Sequence, residues 1–416
     1  MRTKLTALAT VLLASFVFVS CTSPSEYVEE PNEVQEQVYE PTINEPIDPE
    51  YYEPESLAYK INALLTQNNF SGAIFVRQGE DVILSQAYGM VDRANNVENT
   101  IHTTFAIASI TKQFTGAAIL LLEEQGKLDT SSTFDTFFPN HTGLGLENVT
   151  VADLLAMQGG FGHTERHLLE IISSQEALFQ IAEELFDSLS EEDFDIVSRK
   201  LLESDGDVLS LFIAIQALES VRTFIINYVE TLYLTNWNGE TLERFNYSNP
   251  EYWLLGRVIE EVSGVTYEEF IATNFFEPLG MTNSGFLGIS ESAPSYNWFG
   301  EVVPSLNIFY AAFATGGLVS SAYDLALWLD AYFSGELFDI DKLDEIFDGV
   351  YNYGWRFRND ATWWHGGSLN LIDIIAFVAH DRESDTTIII LSSEHTLRLR
   401  NAVRLISSWT LDFRPF

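Results

Sequence analysis

Ser109-Ile110-Thr111-Lys112, at the head of the apolar run over 114–122, decides how the rest of this chain is read. Residues three apart on a helix share a face, so the spacing brings the Lys112 amine within reach of the Ser109 hydroxyl. The start of the same helix offers backbone N–H groups to a developing oxyanion. A nucleophile, an amine beside it and an oxyanion site are the parts that acyl transfer needs. Taken alone the tetrapeptide is weak, because Ser is a common helix cap and Lys a common first-turn residue.

Two distant stretches complete the set: Tyr247-Ser248-Asn249 ahead of Pro250, and His365-Gly366-Gly367-Ser368 after Trp363-Trp364. In this order they resemble the motifs of the serine β-lactamase and penicillin-binding-protein (DD-peptidase) family, in its class C-like branch. That family runs Ser-x-x-Lys, Tyr-x-Asn, then Lys-Thr-Gly or a His-x-Gly equivalent. The likeness covers about residues 57–162 and 220–410. It takes in Phe105-Ala106-Ile107-Ala108, Glu277-Pro278-Leu279-Gly280-Met281, Ala314-Thr315-Gly316-Gly317-Leu318 and Tyr353-Gly354-Trp355.

The resemblance implies an α+β fold of the β-lactamase/DD-peptidase type, an antiparallel sheet flanked by helices with a mainly helical subdomain. It also implies that Ser109 attacks a carbonyl, that Lys112 and Tyr247 carry its proton to the leaving group, and that water hydrolyses the acyl-enzyme. Asn249 would position Lys112 and the substrate amide. The backbone N–H groups of Ser109 and Ser368 would form the oxyanion hole, and Gly366 and Gly367 would permit close approach of the substrate. His365 would supply a proton or a hydrogen bond. An ordinary lysine keeps its proton at neutral pH, so either Lys112 or Tyr247 is left open as the formal base.

Two departures bear on substrate. His365-Gly366-Gly367 lacks the permanent cation and the hydroxyl that Lys-Thr-Gly would offer a substrate carboxylate, which points to an ester, a D-amino-acid peptide or an amide more than to an avidly bound β-lactam. Relatives commonly read His-Thr-Ser-Gly where this chain has Met157-Gln158-Gly159-Gly160. The plainer readings are a turn at 247–250 before a helix over 251–263, and a packed strand histidine at 365. A binding lipoprotein that keeps the fold without turnover is the alternative of another class; the intact Ser109, Lys112 and Tyr247 favour a serine hydrolase.

Around the motifs, residues 71–77 and 81–88 alternate as a hairpin, as do 372–379 and 386–392, with 363–368 as a neighbouring strand and an amphipathic helix over 395–411. Strands from both ends of the chain thus share one sheet. The sheet edge bearing His365 would face the helix of Ser109 across a cleft. Residues 164–218 lengthen the stretch between Ser109 and Tyr247 with helical, apolar sequence broken at Gly206, and read either as enlarged core or as a lid or acyl-binding wall. His163 and His167 share a helix face without a third ligand, so no metal site is expected, and nothing calls for a cofactor.

Residues 1–21 combine Arg2 and Lys4, an apolar run and Ser20-Cys21, the pattern of an export signal. Cys21 is the single cysteine and sits where a bacterial lipoprotein is acylated, although Phe18 stands where Leu is usual. Residues 22–56 carry Glu, Pro, Tyr and Asn without period and read as an acidic disordered linker; 57–416 is the hydrolase domain. The expected address is the outer side of a bacterial cytoplasmic membrane or the periplasm, with a small-molecule or peptide substrate and the membrane, through the lipid anchor, as partners. With 61 acidic and 21 basic side chains the formal charge is −40, which excludes nucleic acid as a partner and disfavours anionic substrates.

Overall fold

The computed structural model describes residues 55–141, 143–164, 175–203, 218–287, 295–296, 302–303, 309–339, 341–346, 349–369, 372–393 and 397–415. The expectations for Cys21, the linker up to 54, His167, Gly206 and the run over 208–217 fall outside them.

Seven strands form one antiparallel sheet: β1 (Gly72–Gln78), β2 (Asp81–Tyr88), β3 (Tyr351–Asn352), β4 (Trp355–Phe357), β5 (Thr362–Leu369), β6 (Ile372–Asp381) and β7 (Thr386–Ser392). Their order is β3-β4-β5-β6-β7-β1-β2, so a strand from the early part of the chain pairs with one from the late part, with Ala73 opposite Leu391. Side chains alternate across a strand. Ile388 and Ile390 of β7 join Ile375 and Phe377 of β6 on one face, under the helices α1 (Leu57–Gln67) and α9 (Leu397–Leu411). Ile389, Leu391, Ala376 and Val378 face the other way, into the main core. Both faces are covered, which is why β6 and β7 read as almost unbroken apolar runs.

On the second face lie α2 (Thr111–Glu124), α3 (Gln175–Ser188), α4 (Glu191–Glu203), α5 (Glu219–Thr235), α6 (Asn249–Ser263), α7 (Phe309–Gly316) and α8 (Ala322–Ser334). Helix α2 is buried almost all round, from Thr111 to Leu120. A helix apolar on one stripe needs one partner; this one is wedged between α6, α7 and the turn at Tyr353–Gly354. In the added segment, Ile181, Leu185 and Val197 enter the same core as Val221, Ile225 and Val229 of α5. These three positions favour the core reading of the segment.

Helix boundaries differ from the sequence expectation in two informative places. Helix α6 starts at Asn249 rather than 251, because Pro250 fits the first turn, where its missing N–H is no loss, and it ends at Gly264 in a left-handed cap (φ 76°). Helix α2 starts at Thr111, after a separate 3-10 turn over Ala108–Ile110. Ser109 thus lies in that turn, ahead of the α-helix.

Candidate active site

The nucleophile position is built by a small sheet in which Phe105–Ala106 pairs with Leu318–Ser320, and Ile107 N–H then donates to Leu318 O at 3.1 Å. The next residue, Ala108, is held at φ 45°, a left-handed conformation that costs a non-glycine residue on the order of 1–2 kcal/mol. That bend breaks the strand and turns Ser109 into the site. Strand β5 lies hard against it: a Cβ on Gly367 would fall 2.3 Å from Ile107 O, so only glycine permits the contact. From the other side Gly354 (φ 83°) brings a turn onto α2, where a Cβ would meet Lys112 O at 2.3 Å. The framework residues Tyr353-Gly354-Trp355 serve this approach.

Lys112 is wholly buried, so its charge needs compensating oxygens. Its Nζ donates to Asn249 Oδ1 (2.7 Å), to Thr315 O (2.7 Å) and to Ser109 Oγ (3.2 Å). The Thr315 carbonyl is available because the chain leaves helical geometry at Phe313 (φ 38°), and Ala314 O accepts from Thr115 Oγ1 beside it. Tyr247 OH donates to Ser109 Oγ at 2.8 Å, and the Lys112 ammonium lies 5.1 Å from the Tyr247 ring centre. Ser109 therefore has both partners at hydrogen-bond distance. A cap role for Ser109 is not seen: α2 begins without a side-chain cap.

His365 is buried, and its two nitrogens are both engaged. A carbonyl can only accept, so Nδ1 donates to Gly366 O (2.8 Å) and Nε2 takes the Tyr351 O–H (3.2 Å). Burial holds its proton affinity well below the ordinary histidine value, with the Arg356 and Lys112 charges pushing the same way. A neutral imidazole thus stands at this position. Ser368 is passed over by the β5–β6 register, which shifts between Gly367 and Leu369, leaving it outside the ladder and next to Gly367, the residue that abuts Ile107. Gly366 is half-buried opposite Phe377.

Four contributors were not singled out as site residues from the sequence. Thr315 acts through its carbonyl, Tyr351 through His365, and Arg356 of β4 through its charge. The fourth is Glu251, fully buried two residues past Asn249, which accepts the N–H groups of Gly159 (3.0 Å) and Phe161 (3.1 Å). The loop so clamped holds the approach to Tyr247: Gln158 O accepts from Leu242 N at 2.7 Å and Met157 O from Asn246 N at 3.1 Å. Gly159 was the visible signal, since any larger residue there would press on Glu251 and Leu154. Among the described residues no group of His, Cys, Asp and Glu is arranged to hold a metal. A separate hollow of about 930 Å³ beside Arg77, Asp330 and His380 contains none of these site residues.

A hydroxyl flanked by an ammonium and a phenol, with a glycine-lined strand against it, suits attack on a carbonyl. The chain belongs to the Beta-lactamase family, whose profile matches residues 57–194 and 224–405. It is 26% identical over 299 residues to PbpX of Bacillus subtilis (strain 168), which carries the name of a penicillin-binding protein; the match covers 69% of this chain and 61% of that protein. It is 28% identical over 228 residues to Protein flp of Staphylococcus aureus (strain N315), covering 53% of this chain and 36% of the other. The chain thus spans less than two thirds of the length of these curated relatives. Among solved structures it resembles FmtA from Staphylococcus aureus (TM-score 0.61, 16% identity, 90% of this chain and 95% of that one). It also resembles the D-amino acid amidase of Ochrobactrum anthropi SV3 (TM-score 0.57, 19% identity, 81% and 91%). At these identities the likeness is one of fold. The family is one of β-lactamase-like hydrolases.

Proposed function

We propose that this protein is an exported serine hydrolase that cleaves an ester or amide through an acyl-enzyme on Ser109. The observation that carries the reading is the pair of contacts at Ser109 Oγ, Lys112 Nζ at 3.2 Å and Tyr247 OH at 2.8 Å. In the acylation step Oγ forms a bond to the carbonyl carbon, and its proton passes through the Tyr247–Lys112 pair to the departing nitrogen or oxygen as that bond breaks. Water then attacks the acyl carbon, returns a proton to Oγ and releases a carboxylic acid. Asn249 fixes Lys112 in this relay; Ser109 and Ser368 N–H groups receive the oxyanion. The resemblance to a penicillin-binding protein and a D-amino acid amidase supports peptide-like carbonyl substrates, and the motif at Cys21 supports a lipid anchor on the outer side of the membrane.

A fluorophosphonate probe should label Ser109, mapped by mass spectrometry, and Ser109→Ala should abolish labelling while its circular dichroism stays unchanged. Labelling confined to other serines would sink the proposal and leave the binding-lipoprotein reading. Cys21→Ser should move the protein from the membrane fraction to the soluble one if the anchor is a lipid.

A further inference from the structure

We propose that α9 and the residues following it, up to Arg414, form a docking surface for an anionic phospholipid bilayer. This lies beyond the hydrolase chemistry and rests on the export reading only for where such a bilayer is met.

Charge singles out this layer. The two helices that cover one face of the sheet, α1 and α9, contain Lys60, Arg398, Arg400 and Arg404 and no acid, in a chain with 61 acidic side chains. Across the sheet, α4 alone contains five acids. Arg414 and Arg358 extend the basic surface: Arg414 is exposed, and Arg358 donates to Leu411 O (3.1 Å) and lies over the Phe413 ring. Arg404 donates to Pro415 O at 3.4 Å. A carbonyl orients a guanidinium without neutralising it. At the margins stand Asp412 and Glu55, the latter 3.8 Å from Lys60. Helix stability does not explain the set, because Arg398 and Arg400 fall in the first turn of α9, where a cation opposes the helix dipole. Leu399, Ala402, Val403 and Ile406 take up the buried side of α9, so its outward side carries Asn401 and Trp409, the latter 40% exposed. An indole among guanidinium groups suits a lipid headgroup layer.

The occupant follows from charge and from chain length. A second copy of the chain would set arginine against arginine across a twofold axis, a like-charge contact. A bilayer with anionic headgroups has the opposite sign and attracts each such cation. Residues 22–56, between Cys21 and α1, span at most about 120 Å when fully extended, so a lipid at Cys21 keeps this layer within reach of the surface. That tether makes the contact intramolecular, and a contact too weak for a free protein then holds. Without a basic face, a chain of charge −40 is repelled by anionic lipid. Docked on α1 and α9, the domain turns Ser109, in the layer across the sheet, away from the lipid and toward substrates outside it.

The test uses the full chain with Cys21→Ser, which carries no lipid, sedimented with vesicles of phosphatidylcholine alone or with about one third phosphatidylglycerol. At low ionic strength the bound fraction should be about fivefold or more higher on the anionic vesicles, and it should fall to the neutral level at about 1 M salt. Binding should shift tryptophan emission to the blue, and Trp409→Phe should remove the shift; a shift that persists refutes docking through this face. Asn401→Glu with Arg414→Glu, both at exposed positions, should reduce binding to the neutral level with circular dichroism unchanged, whereas Lys127→Glu, in the other layer, should leave it as in wild type. Equal binding to both vesicles, binding to neither, or unchanged binding by the double variant overturns the inference. So does a lipid-free dimer that the double variant abolishes, which assigns the face to a second copy, or capture of soluble polyphosphate as tight as that of vesicles, which assigns it to a free polyanion. If the chain with Cys21 intact stays out of the cell's membrane fraction while the vesicle results hold, the anchor reading alone fails.

Discussion

The carboxylate of Glu251 accepts the N–H of Gly159 at 3.0 Å, tying the first turn of the helix that carries Asn249 to the loop that steadies Tyr247. This buried acid couples the candidate site to pH. Burial raises its carboxyl from an ordinary 4.5 to about 8, against the lowering effect of the Gly159 and Phe161 N–H groups, with Asp153 adding a smaller upward push. An acid with a raised value in the folded state stabilises most below its unfolded value. That contribution is full below about 4.5, falls as pH rises, and is gone above about 8. Glu251→Gln cannot ionise, so its melting temperature should decline less than that of wild type between these limits. Parallel curves for the two proteins would refute the assignment.

Two buried histidines act in the opposite direction. His365 is held well below 6.5, and burial brings His380 down to about 3. The unfolded chain takes up protons at both as pH falls below about 6.5, whereas the folded chain does not, so their contribution is present above that value and is lost on acidification. His380→Gln should flatten the acid limb of stability. It should leave the pH dependence of Ser109 labelling as in wild type, since His380 stacks on Phe333 at 4.1 Å, away from the site.

Gly367→Ala tests the contact between β5 and the nucleophile turn. The added methyl would overlap Ile107 O, and a shift of about 1 Å in a reacting group can cost roughly 100-fold in rate. Labelling of Ser109 should slow by that order, even in protein that remains folded by circular dichroism. An unaltered labelling rate would show that β5 does not set the position of Ser109.

The charged cluster between α5 and α6 predicts a stability effect without a catalytic one. Arg257 reaches Glu230 at 2.7 Å and also meets Glu260, while Arg222 reaches Glu260 at 2.7 Å and Glu268 at 3.0 Å. Removing one cation strands partly buried carboxylates, so Arg257→Ala should cost about 2–4 kcal/mol in urea unfolding, discounted for partial exposure. Asp344→Asn, at an exposed pair with Arg382, should cost less than about 1 kcal/mol.

The juxtaposition carried by fixed residue types at fixed spacing was legible: Ser109, Lys112, Tyr247 and Asn249 lie within hydrogen-bond distance of one another, and the two hairpins fall where alternation placed them. Contributors that act through tertiary position were not. Thr315 enters by a main-chain oxygen, which any residue type could present. Glu251 looks like an ordinary polar residue in a first helical turn until the loop over 157–161 is folded onto it. Arg356 has no period or motif of its own; the aromatic rings of Phe245, Tyr247, Tyr351 and Trp364 come around it only once the strands are assembled. The start of α6 was missed by two residues because Asn249 and Pro250 suit a turn and a first helical turn equally well.

The adjacency of β1 and β7, with Ala73 opposite Leu391, carries a consequence for how the molecule is made. During synthesis the N-terminal hairpin emerges some three hundred positions before its partner strand exists, leaving one hydrogen-bonding edge and its apolar faces waiting. Closing so long a loop is entropically slow. Because β5 can press on Ile107 only after this closure, the reactivity of Ser109 should be among the last properties acquired in refolding. An active-site probe added during renaturation would then serve as a clock for completion of the sheet, rising after the recovery of helical circular dichroism rather than with it.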